Sequence, residues 1–280
     1  MDNYLKTKYD LNDKETVSVI DELPLWSAPF GLKMLDKIKY RKNITALDIG
    51  SGLGFPLLEV AMRLGNTCKL YGIDPWETAV ERIKTKIKVH GITNVEMFTG
   101  AAENIPLPDN SVKLIFSNNE LNNVNDINTV LKECRRISQI GAQLVFTYNT
   151  DTTMREFYSE FENLLHDKKM NAQIAMMKEH IYKKRKPVEE FVRLLNESGY
   201  SINEISHDKF DYSFVDGTVM FNHFLIKLAF IDSWKEIVPE EKQQDFFTEL
   251  LDRLNQLSQR IGYLNLSVPF AIISCEKVRE

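Results

Sequence analysis

The 280-residue chain lacks the features that mark several classes of protein. Its three cysteines, Cys68, Cys134 and Cys275, stand far apart, which excludes a disulfide framework and a zinc site of clustered thiolates. No apolar run approaches the roughly 20 residues that a membrane-spanning helix needs. The formal net charge is −5, so there is no basic excess to hold a long stretch of nucleic acid. We therefore expect reduced cysteines, no metal site and no membrane association, and the charge disfavours a nucleic-acid partner without excluding a small basic patch.

The composition is that of a soluble globular protein. Hydrophobic residues make up 43% of the chain and charged residues 27%. The first ten residues, MDNYLKTKYD, are polar and charged rather than apolar, unlike a secretory signal peptide. From this start and the isolated cysteines we expect a cytoplasmic protein.

The most informative feature is a glycine-rich turn that follows a buried strand. The segment ITALDIGSGLGF (residues 44–55) leads from an apolar run into Gly50, Gly52 and Gly54, and a second strand ends about twenty residues later in Asp74. Glycine permits a sharp strand-to-helix turn and a close approach of the backbone to a ligand. An acid at the tip of the next strand can accept the two ribose hydroxyls. This pattern is typical of a nucleoside site in a doubly wound α/β domain, although a tight turn without a ligand is the plainer interpretation.

The spacing of the glycines distinguishes between two candidate cofactors, NAD and S-adenosylmethionine. A dinucleotide fingerprint, G-x-G-x-x-G, requires its third glycine at position 55, where this chain has Phe55. The spacing here is G-x-G-x-G, with Asp48 two residues ahead of it. The pattern therefore favours S-adenosylmethionine over NAD.

The order of elements predicts the fold class. Residues 44–148 alternate strand and helix, which indicates a parallel sheet covered on both faces. We predict a Rossmann-like, doubly wound, seven-stranded sheet, with strands at about 200–207 and 264–278 forming an antiparallel edge. The expected segments are an N-terminal helical lid (1–43), the cofactor-binding core (44–150), a helical cap (151–186) and the rest of the sheet (187–280), which carries a helical insertion at about 216–262.

Three segments in order resemble the class I S-adenosylmethionine-dependent methyltransferases. They are LDIGSGLG, YGIDPWETAVERIK and GAAENIPLPDNSVKLIFSNNEL, and together they cover about residues 44–148. The chain is most similar to the methyltransferase type 11 group, whose core reads like the ubiquinone-type enzymes that methylate small molecules. The resemblance implies S-adenosyl-L-methionine as cofactor and S-adenosyl-L-homocysteine as product.

The resemblance also implies roles for individual residues. Asp48 would approach the methionine amine, Asp74 the ribose hydroxyls, and Trp76 would pack on the adenine, or else only pack its helix. Many relatives have an acid where this chain has Ala101, which weakens the expectation of an acid at the adenine amine. The implied cofactor-binding set is Asp48, Gly50, Ser51, Gly52, Gly54, Asp74, Pro75, Trp76, Ala101, Ala102, Glu103 and Asn118.

Catalytic residues are few, because the sulfonium already activates its methyl group and the protein has mainly to position a nucleophile and exclude water. Glu120, next to the predicted end of the fourth strand, and His223, predicted on a helix of the cap, are the candidates for proton removal. A histidine on an amphipathic helix is more often a packed core residue. Four further candidates are weaker: His180, Tyr182, Tyr212 and Asp216, the last two predicted in the loop after strand six.

Two further segments have alternative interpretations. Trp26 and Phe30, in the apolar stretch before the first strand, would line the cofactor pocket as part of a lid or would pack a helix on the sheet. The basic run KKRK (183–186) is typical of a solvated helix end, and less often of an RNA contact.

We therefore predict an S-adenosylmethionine-dependent methyltransferase that acts on the O, N or C nucleophile of a small molecule by direct in-line transfer. The alternatives are a methyltransferase acting on RNA or protein and a non-catalytic module that holds the cofactor. An NAD-dependent oxidoreductase is disfavoured by Phe55. The acceptor and the oligomeric state are not determined by these patterns.

Overall fold

A seven-stranded sheet is the central element of the structure. The computed structural model describes residues 4–23 and 25–278. The strands are β1 (Thr45–Ile49), β2 (Lys69–Asp74), β3 (Val95–Thr99), β4 (Val112–Asn118), β5 (Ser138–Asn149), β6 (Tyr200–Phe214) and β7 (Leu264–Lys277).

The sheet is doubly wound from β1. The strand order is β3-β2-β1-β4-β5-β7-β6. Strands β1 to β5 pair in parallel, whereas β7 pairs antiparallel to β5 from Gln143↔Glu276 to Asn149↔Phe270. The predicted Rossmann-like sheet with an antiparallel edge of strands six and seven is confirmed. In such a sheet ligands bind at the carboxyl ends of the parallel strands, where the strand order reverses.

Helices connect the strands and fill the long insertions. They are α1 (Lys14–Glu22), α2 (Ser27–Leu35), α3 (Leu57–Leu64), α4 (Glu77–His90), α5 (Ile127–Ile137), α6 (Arg155–Asp167), α7 (Asn171–Lys184), α8 (Val188–Glu197), α9 (Gly217–Asn222), α10 (Phe224–Ala229), α11 (Ile231–Lys235) and α12 (Glu240–Ile261). Local signals set several of the bounds. The Asp126 carboxylate accepts from the backbone N–H groups of Asn128 and Thr129 at the start of α5. Gly91, at φ 64°, ends α4 in the left-handed conformation.

The chain forms two compact units. One unit contains residues 11–149, 186–208 and 270–278, and the other contains residues 4–10, 150–185 and 209–269. The first holds the parallel strands, whose buried apolar residues form a continuous core with α5 and α8. The segment bounds expected from the sequence stay a prediction.

The second unit has an aromatic core. The rings of Phe157 and Trp234 stack with their centroids 3.9 Å apart, and Phe221 meets Trp234 edge-on at 6.3 Å. The Trp234 indole N–H donates to the hydroxyl of Tyr158 at 3.1 Å, so its polar atom is satisfied although the side chain is fully buried.

The predictions for the second half of the chain were wrong in two places. β6 extends to Phe214, so Tyr212 lies in the strand rather than in a following loop. The polar sequence there hides the strand, but the Asn265 amide bridges to it, donating to Asp211 Oδ1 at 3.0 Å and accepting from Ser213 Oγ at 3.1 Å. Such cross-strand pairing is tertiary and leaves no local pattern.

The first part of the helical insertion predicted at about 216–262 consists of the three short helices α9, α10 and α11. His223, predicted on a helix of the cap, lies at the break between α9 and α10 with extended backbone angles (φ −65°, ψ 136°).

Arg136 clamps the loop that leads into β4. Its guanidinium donates to the backbone oxygens of Ile105 and Leu107 at 2.8 and 2.7 Å. The carboxylates of Glu133 and Asp109 hold it in place at 2.8 Å. We expect Arg136→Ala to lower the free energy of unfolding by about 2 kcal/mol, because the two carbonyls and Glu133 lose a charge-assisted donor. Urea unfolding measures this loss.

The matched control is Arg193→Ala, which removes an exposed i,i+4 pair with Glu197. A pair of that kind contributes only ~0.5 kcal/mol. Equal losses in the two variants would show that the clamp does not hold the loop.

Candidate cofactor site

The glycine-rich turn lies at the carboxyl end of β1 and crosses to β2. Gly50, Gly52 and Gly54 all have positive φ, at 72°, 49° and 102°. The Gly50 N–H donates to the Ile73 carbonyl at 3.0 Å, and the Gly54 N–H to the Ser51 carbonyl at 2.8 Å. The conformation therefore requires glycine for the reason inferred from the sequence.

Asp74 fastens the turn from the neighbouring strand. Its carboxylate accepts from the Gly52 N–H at 2.7 Å and from the Trp76 N–H at 2.8 Å. The side chain is 7% exposed, and burial raises its pKa above the usual value. Asp74 thus shapes the turn besides offering acceptor lone pairs at the tip of β2.

Asp48 is a fully buried acid behind the turn. It is 0% exposed, and neither carboxylate oxygen has a hydrogen-bond partner among the described residues. Burial raises the pKa of Asp48 to about 8, and the charges of Asp74 and Glu120 add to this effect, whereas the nearby Ser51 hydroxyl opposes it. In the structure that hydroxyl donates to the Asp48 backbone carbonyl, at 3.4 Å, rather than to the carboxylate. A buried acid without a donor is costly to ionise, so this position favours a cation or donor brought by a ligand.

Glu120 lies directly over Gly50. A Cβ added at Gly50 would lie 2.0 Å from Cγ and 2.4 Å from Cβ of Glu120. At Gly52, by contrast, an added Cβ would meet nothing within 4 Å, so the space beside that residue is open. The turn therefore has a closed side under Glu120 and an open side at Gly52.

Asn118 is the last residue of β4, and both the oxygen and the nitrogen of its side-chain amide form hydrogen bonds. Its amide oxygen accepts from the Thr147 hydroxyl at 2.9 Å, and its amide N–H donates to the Ser27 carbonyl at 2.9 Å. Asn118 therefore connects the tip of β4 to β5 and to the start of α2.

The asparagine-rich sequence after β4 forms a hydrogen-bonded loop. The Asn119 side-chain oxygen accepts from the Asn149 N–H at 3.0 Å, and Asn123 donates to the Asn119 carbonyl at 3.0 Å. Asn119 has φ 60°, a conformation that asparagine adopts more readily than most residues. These bonds give the loop that carries Glu120 a defined position.

The expected adenine segment is only partly free for a ligand. Ala102 is buried, whereas Ala101 and Pro75 are exposed. Glu103 uses one carboxylate oxygen to accept from the backbone N–H groups of Asn125 and Asp126, at 3.1 and 3.2 Å. Its visible role is to cap the loop before α5.

The N-terminal segment contributes contacts that the sequence did not predict. The Trp76 indole N–H donates to the Leu11 carbonyl at 2.8 Å. Asp21 pairs with Arg82 at 2.7 Å and with Lys86, which also donates to the Leu53 carbonyl of the glycine turn at 2.7 Å. Asp21 and Lys86 look like ordinary surface charges in the sequence, so no local signal identifies them.

Phe30 is a core residue. It is 0% exposed on α2, its ring lies 4.9 Å from Phe270 and 5.4 Å from Trp26, and α2 packs on β4 and β5. Of the two roles considered for Phe30, packing a helix on the sheet is the one observed. Trp26 stands at the start of α2 and is half-buried.

The remaining candidates belong to the second unit. His223 packs edge-on against Phe214 at 5.3 Å, and burial together with the Lys227 charge lowers its pKa. Asp216 caps α9 by accepting from the Val219 N–H at 2.8 Å. His180 and Tyr182 lie on the last turns of α7.

The basic run 183–186 is not wholly solvated, so that prediction was wrong for one residue. Lys183 and Lys184 are exposed, but Arg185 is only 5% exposed. It ends α7, and its guanidinium turns inward to the Thr153 carbonyl.

Two searches of the described chain give negative results. Within residues 4–23 and 25–278, no three His, Cys, Asp or Glu side chains are grouped so that they could hold a metal ion. In the same residues, no helix has the length and apolar character needed to cross a membrane.

The comparison with protein families decides the assignment. The family model of a methyltransferase domain matches residues 40–243, which is well over half of the chain. The chain belongs to the methyltransferase-domain family. The resemblance to class I S-adenosylmethionine-dependent methyltransferases, noted from three motifs, is thereby confirmed.

Curated relatives of this methyltransferase-domain chain match a little under half of it. The demethylmenaquinone methyltransferase of Geobacillus stearothermophilus is 31% identical over 124 residues, which is 44% of this chain and 53% of that protein. The putative methyltransferase YrhH of Bacillus subtilis is 29% identical over 123 residues, 44% of this chain and 67% of that one. The chain thus spans about half the length of the first of these relatives.

Solved structures share the fold with this methyltransferase-domain chain. The YcgJ protein of Bacillus subtilis superposes with a TM-score of 0.58 at 17% identity, covering 90% of this chain and 100% of that one. The geranyl diphosphate C-methyltransferase of Streptomyces coelicolor A3(2) superposes with a TM-score of 0.57 at 13% identity, covering 98% of this chain and 87% of that one. At these identities the likeness concerns the fold alone.

Proposed function

We propose that this chain is an S-adenosylmethionine-dependent methyltransferase that acts on a small molecule. The observation that carries the proposal is Asp48, a buried acid behind the glycine turn whose carboxylate accepts no hydrogen bond from the described residues. A ligand with an ammonium group there would provide the donors that the protein does not. S-Adenosylmethionine carries such a group on its methionine portion.

The other residues of the turn fit the same ligand. The open side at Gly52 leaves room for the ligand to approach the backbone. Asp74 lies at the tip of β2 with acceptor lone pairs for the two hydroxyls of a ribose. Asn118 ends the adjacent strand β4 and belongs to the proposed site. In this proposal the cofactor contacts extend from β1 to β2 and β4.

Trp76 and Glu103 fit less directly. The indole N–H of Trp76 is used by Leu11, which leaves only its ring face for the adenine. Glu103 caps a loop, so the adenine contacts of residues 101–103 would come mainly from the backbone.

When bound, the cofactor supplies an activated methyl group. The protein then has to hold the acceptor in line and exclude water. Glu120 lies over Gly50 and could accept a proton at its carboxylate. His223 belongs to the second unit, where burial and the Lys227 charge lower its pKa. Both remain candidates for proton removal.

A small-molecule acceptor is supported by the names of similar proteins. The curated relative from Geobacillus stearothermophilus is named for demethylmenaquinone, and a structural neighbour from Streptomyces coelicolor is named for geranyl diphosphate. The net charge of −5 also gives little general attraction for a nucleic acid. RNA or protein as acceptor, and cofactor binding without turnover, are the alternatives.

Calorimetric titration with S-adenosylmethionine, S-adenosylhomocysteine and NADH tests the cofactor assignment. We expect binding of the first two and none of NADH. Asp74→Ala should weaken binding by at least ~100-fold, since two acceptor contacts to the ribose are lost. Glu96→Ala, an exposed acid of β3 paired with Lys69, is the matched control and should bind like the wild-type protein.

Circular dichroism and the melting temperature of Asp74→Ala should accompany the titration, because Asp74 also holds the turn. A folded wild-type protein that binds neither sulfonium compound nor its product would refute the proposal. Binding without methyl transfer to any small acceptor would instead favour the non-catalytic alternative.

A further inference from the structure

Arg185 is a buried cation with no carboxylate partner in the described part of the chain. Its side chain is 5% exposed. Among the described residues its guanidinium makes one hydrogen bond, from Nη1 to the Thr153 carbonyl at 3.3 Å, and it lies 5.2 Å from the centre of the Tyr158 ring. Arg136, by comparison, has two carboxylate partners although it is more exposed.

Burying a guanidinium with so few hydrogen-bond acceptors costs free energy unless a ligand supplies further acceptors. A guanidinium offers five N–H donors and stays protonated in proteins, so it cannot escape burial by losing its charge. One carbonyl and one ring face offset only part of the lost hydration. The rest of the guanidinium is therefore available to an anion.

His180, on the last turns of α7, adds no second positive charge beside Arg185. Burial, and to a smaller extent the charges of Arg185 and Lys184, lower the pKa of His180 to about 4. The histidine is therefore neutral at physiological pH, and the charge available to an anion at this position is that of the Arg185 guanidinium.

A purely structural role explains the position of Arg185 at the end of α7 but does not explain why a charged guanidinium is buried there. Arg185 follows α7, where the helix dipole favours a cation, and its bond to Thr153 ties that end to the segment before α6. A single neutral donor would make the same tie without burying a charge. The planar fork of a guanidinium is the group that binds carboxylate and phosphate oxygens in pairs.

We propose that Arg185 is the centre of an anion-binding site in the second unit, and that its ligand is a carboxylate or phosphate group carried by a small molecule. The site rests on the contacts of Arg185 and does not depend on methyl transfer. Such a group could be part of the methyl acceptor or of a separate small molecule, and Arg185 would bind both through the same oxygen atoms.

Anion titration of the full chain tests the proposal. The probes are sodium phosphate, sodium pyrophosphate and sodium acetate, each at constant ionic strength set with sodium chloride. We expect at least one probe to bind saturably and to raise the melting temperature by about 5 °C at 100 times its dissociation constant. A preference for acetate indicates a carboxylate ligand, and a preference for the other two indicates a phosphate.

The deciding variant is Arg185→Met, which keeps an unbranched apolar side chain and removes the guanidinium with its charge. It should lose the anion response at least tenfold. Lys183→Ala, which removes one exposed positive charge two residues away, should keep the wild-type response. Arg185→Lys should bind weakly, because the point charge remains without the fork.

Three results would overturn the proposal. They are an unchanged response in folded Arg185→Met, an equal loss in Lys183→Ala, and a wild-type protein that binds none of the probes. If Arg185→Met does not fold, the arginine Nε–H signals of the wild-type protein decide, since one of them must shift as the anion saturates.

Discussion

Gly50→Ala is expected to lower the free energy of unfolding by more than ~3 kcal/mol. Two effects combine. An alanine at φ 72° is held in the left-handed region, which costs about 1–2 kcal/mol. Its Cβ would also lie 2.0 Å from Glu120 Cγ and 2.4 Å from Glu120 Cβ, atoms too close to the backbone to move aside cheaply. Urea unfolding measures the total.

Substitutions at two other glycines distinguish the cost of backbone strain from the cost of the steric clash with Glu120. Gly52→Ala and Gly91→Ala also place alanine at positive φ, at 49° and 64°, but their Cβ atoms would meet nothing within 4 Å. We expect both to lose only the ~1–2 kcal/mol of backbone strain. If all three variants lose the same amount, the close approach of Glu120 to Gly50 is absent in solution.

A double-mutant cycle tests the contact itself. Glu120→Gly removes both atoms that the new Cβ would meet, so the double variant Gly50→Ala, Glu120→Gly should be more stable than the sum of the two single changes predicts. We expect a coupling of at least ~1 kcal/mol, since neighbours in contact are not additive. Additive effects would place Glu120 away from the turn.

The first half of the fold could be predicted because its signals are local. Each strand of the parallel sheet is an apolar run, and each helix after it has its own stop, such as Gly65 and Gly91. The glycine turn was identified for the same reason: Gly50 and Gly52 permit positive φ, and this property is visible in the residue type itself. The second half was harder because β6 carries polar residues on alternate positions and is defined by its partner strand.

Long-range contacts account for what the sequence did not predict in the site. Glu120 was proposed from its place beside the tip of β4. Its position over Gly50, however, depends on the asparagine-rich loop that carries it, which is hydrogen-bonded to β5. The burial of Arg185 within a basic run follows from the packing of its helix end on Thr153. In both cases the sequence identifies the residue type, but the surroundings of the side chain depend on contacts that are distant in the chain.

The two buried acids at the glycine turn differ in their effect on stability. The Asp74 carboxylate accepts two hydrogen bonds that stabilise the turn, whereas the Asp48 carboxylate accepts none from the described residues. A residue that lowers stability and touches no structural partner is a candidate for a functional one. This contrast makes Asp48 the sharper test of the site.

Asp48→Asn is expected to stabilise the protein while weakening its binding of S-adenosylmethionine. Because the pKa of Asp48 rises from 3.8 to about 8 on folding, the folded chain binds the extra proton between these values. The wild-type free energy of unfolding should therefore fall as pH rises from about 4 to about 8, by up to ~1.4 kcal/mol per pH unit from this group. The asparagine variant lacks this term, so its advantage should grow over the same range and level off above pH 8.

Urea unfolding at pH 5, 6, 7 and 8 measures this pH dependence, and calorimetry measures the binding. Asp126→Asn is the control, because the Thr129 hydrogen bonds lower the pKa of that exposed acid and its stabilising effect is lost only in more acidic solution. Asp48→Asn should bind S-adenosylmethionine at least ~10-fold more weakly, since the ammonium group loses its carboxylate. Wild-type binding at pH 7 should also release protons, visible as a heat that varies with the buffer. Equal pH dependence in Asp48→Asn and the wild-type protein, together with unchanged affinity, would mean that Asp48 neither carries the raised pKa nor meets the cofactor.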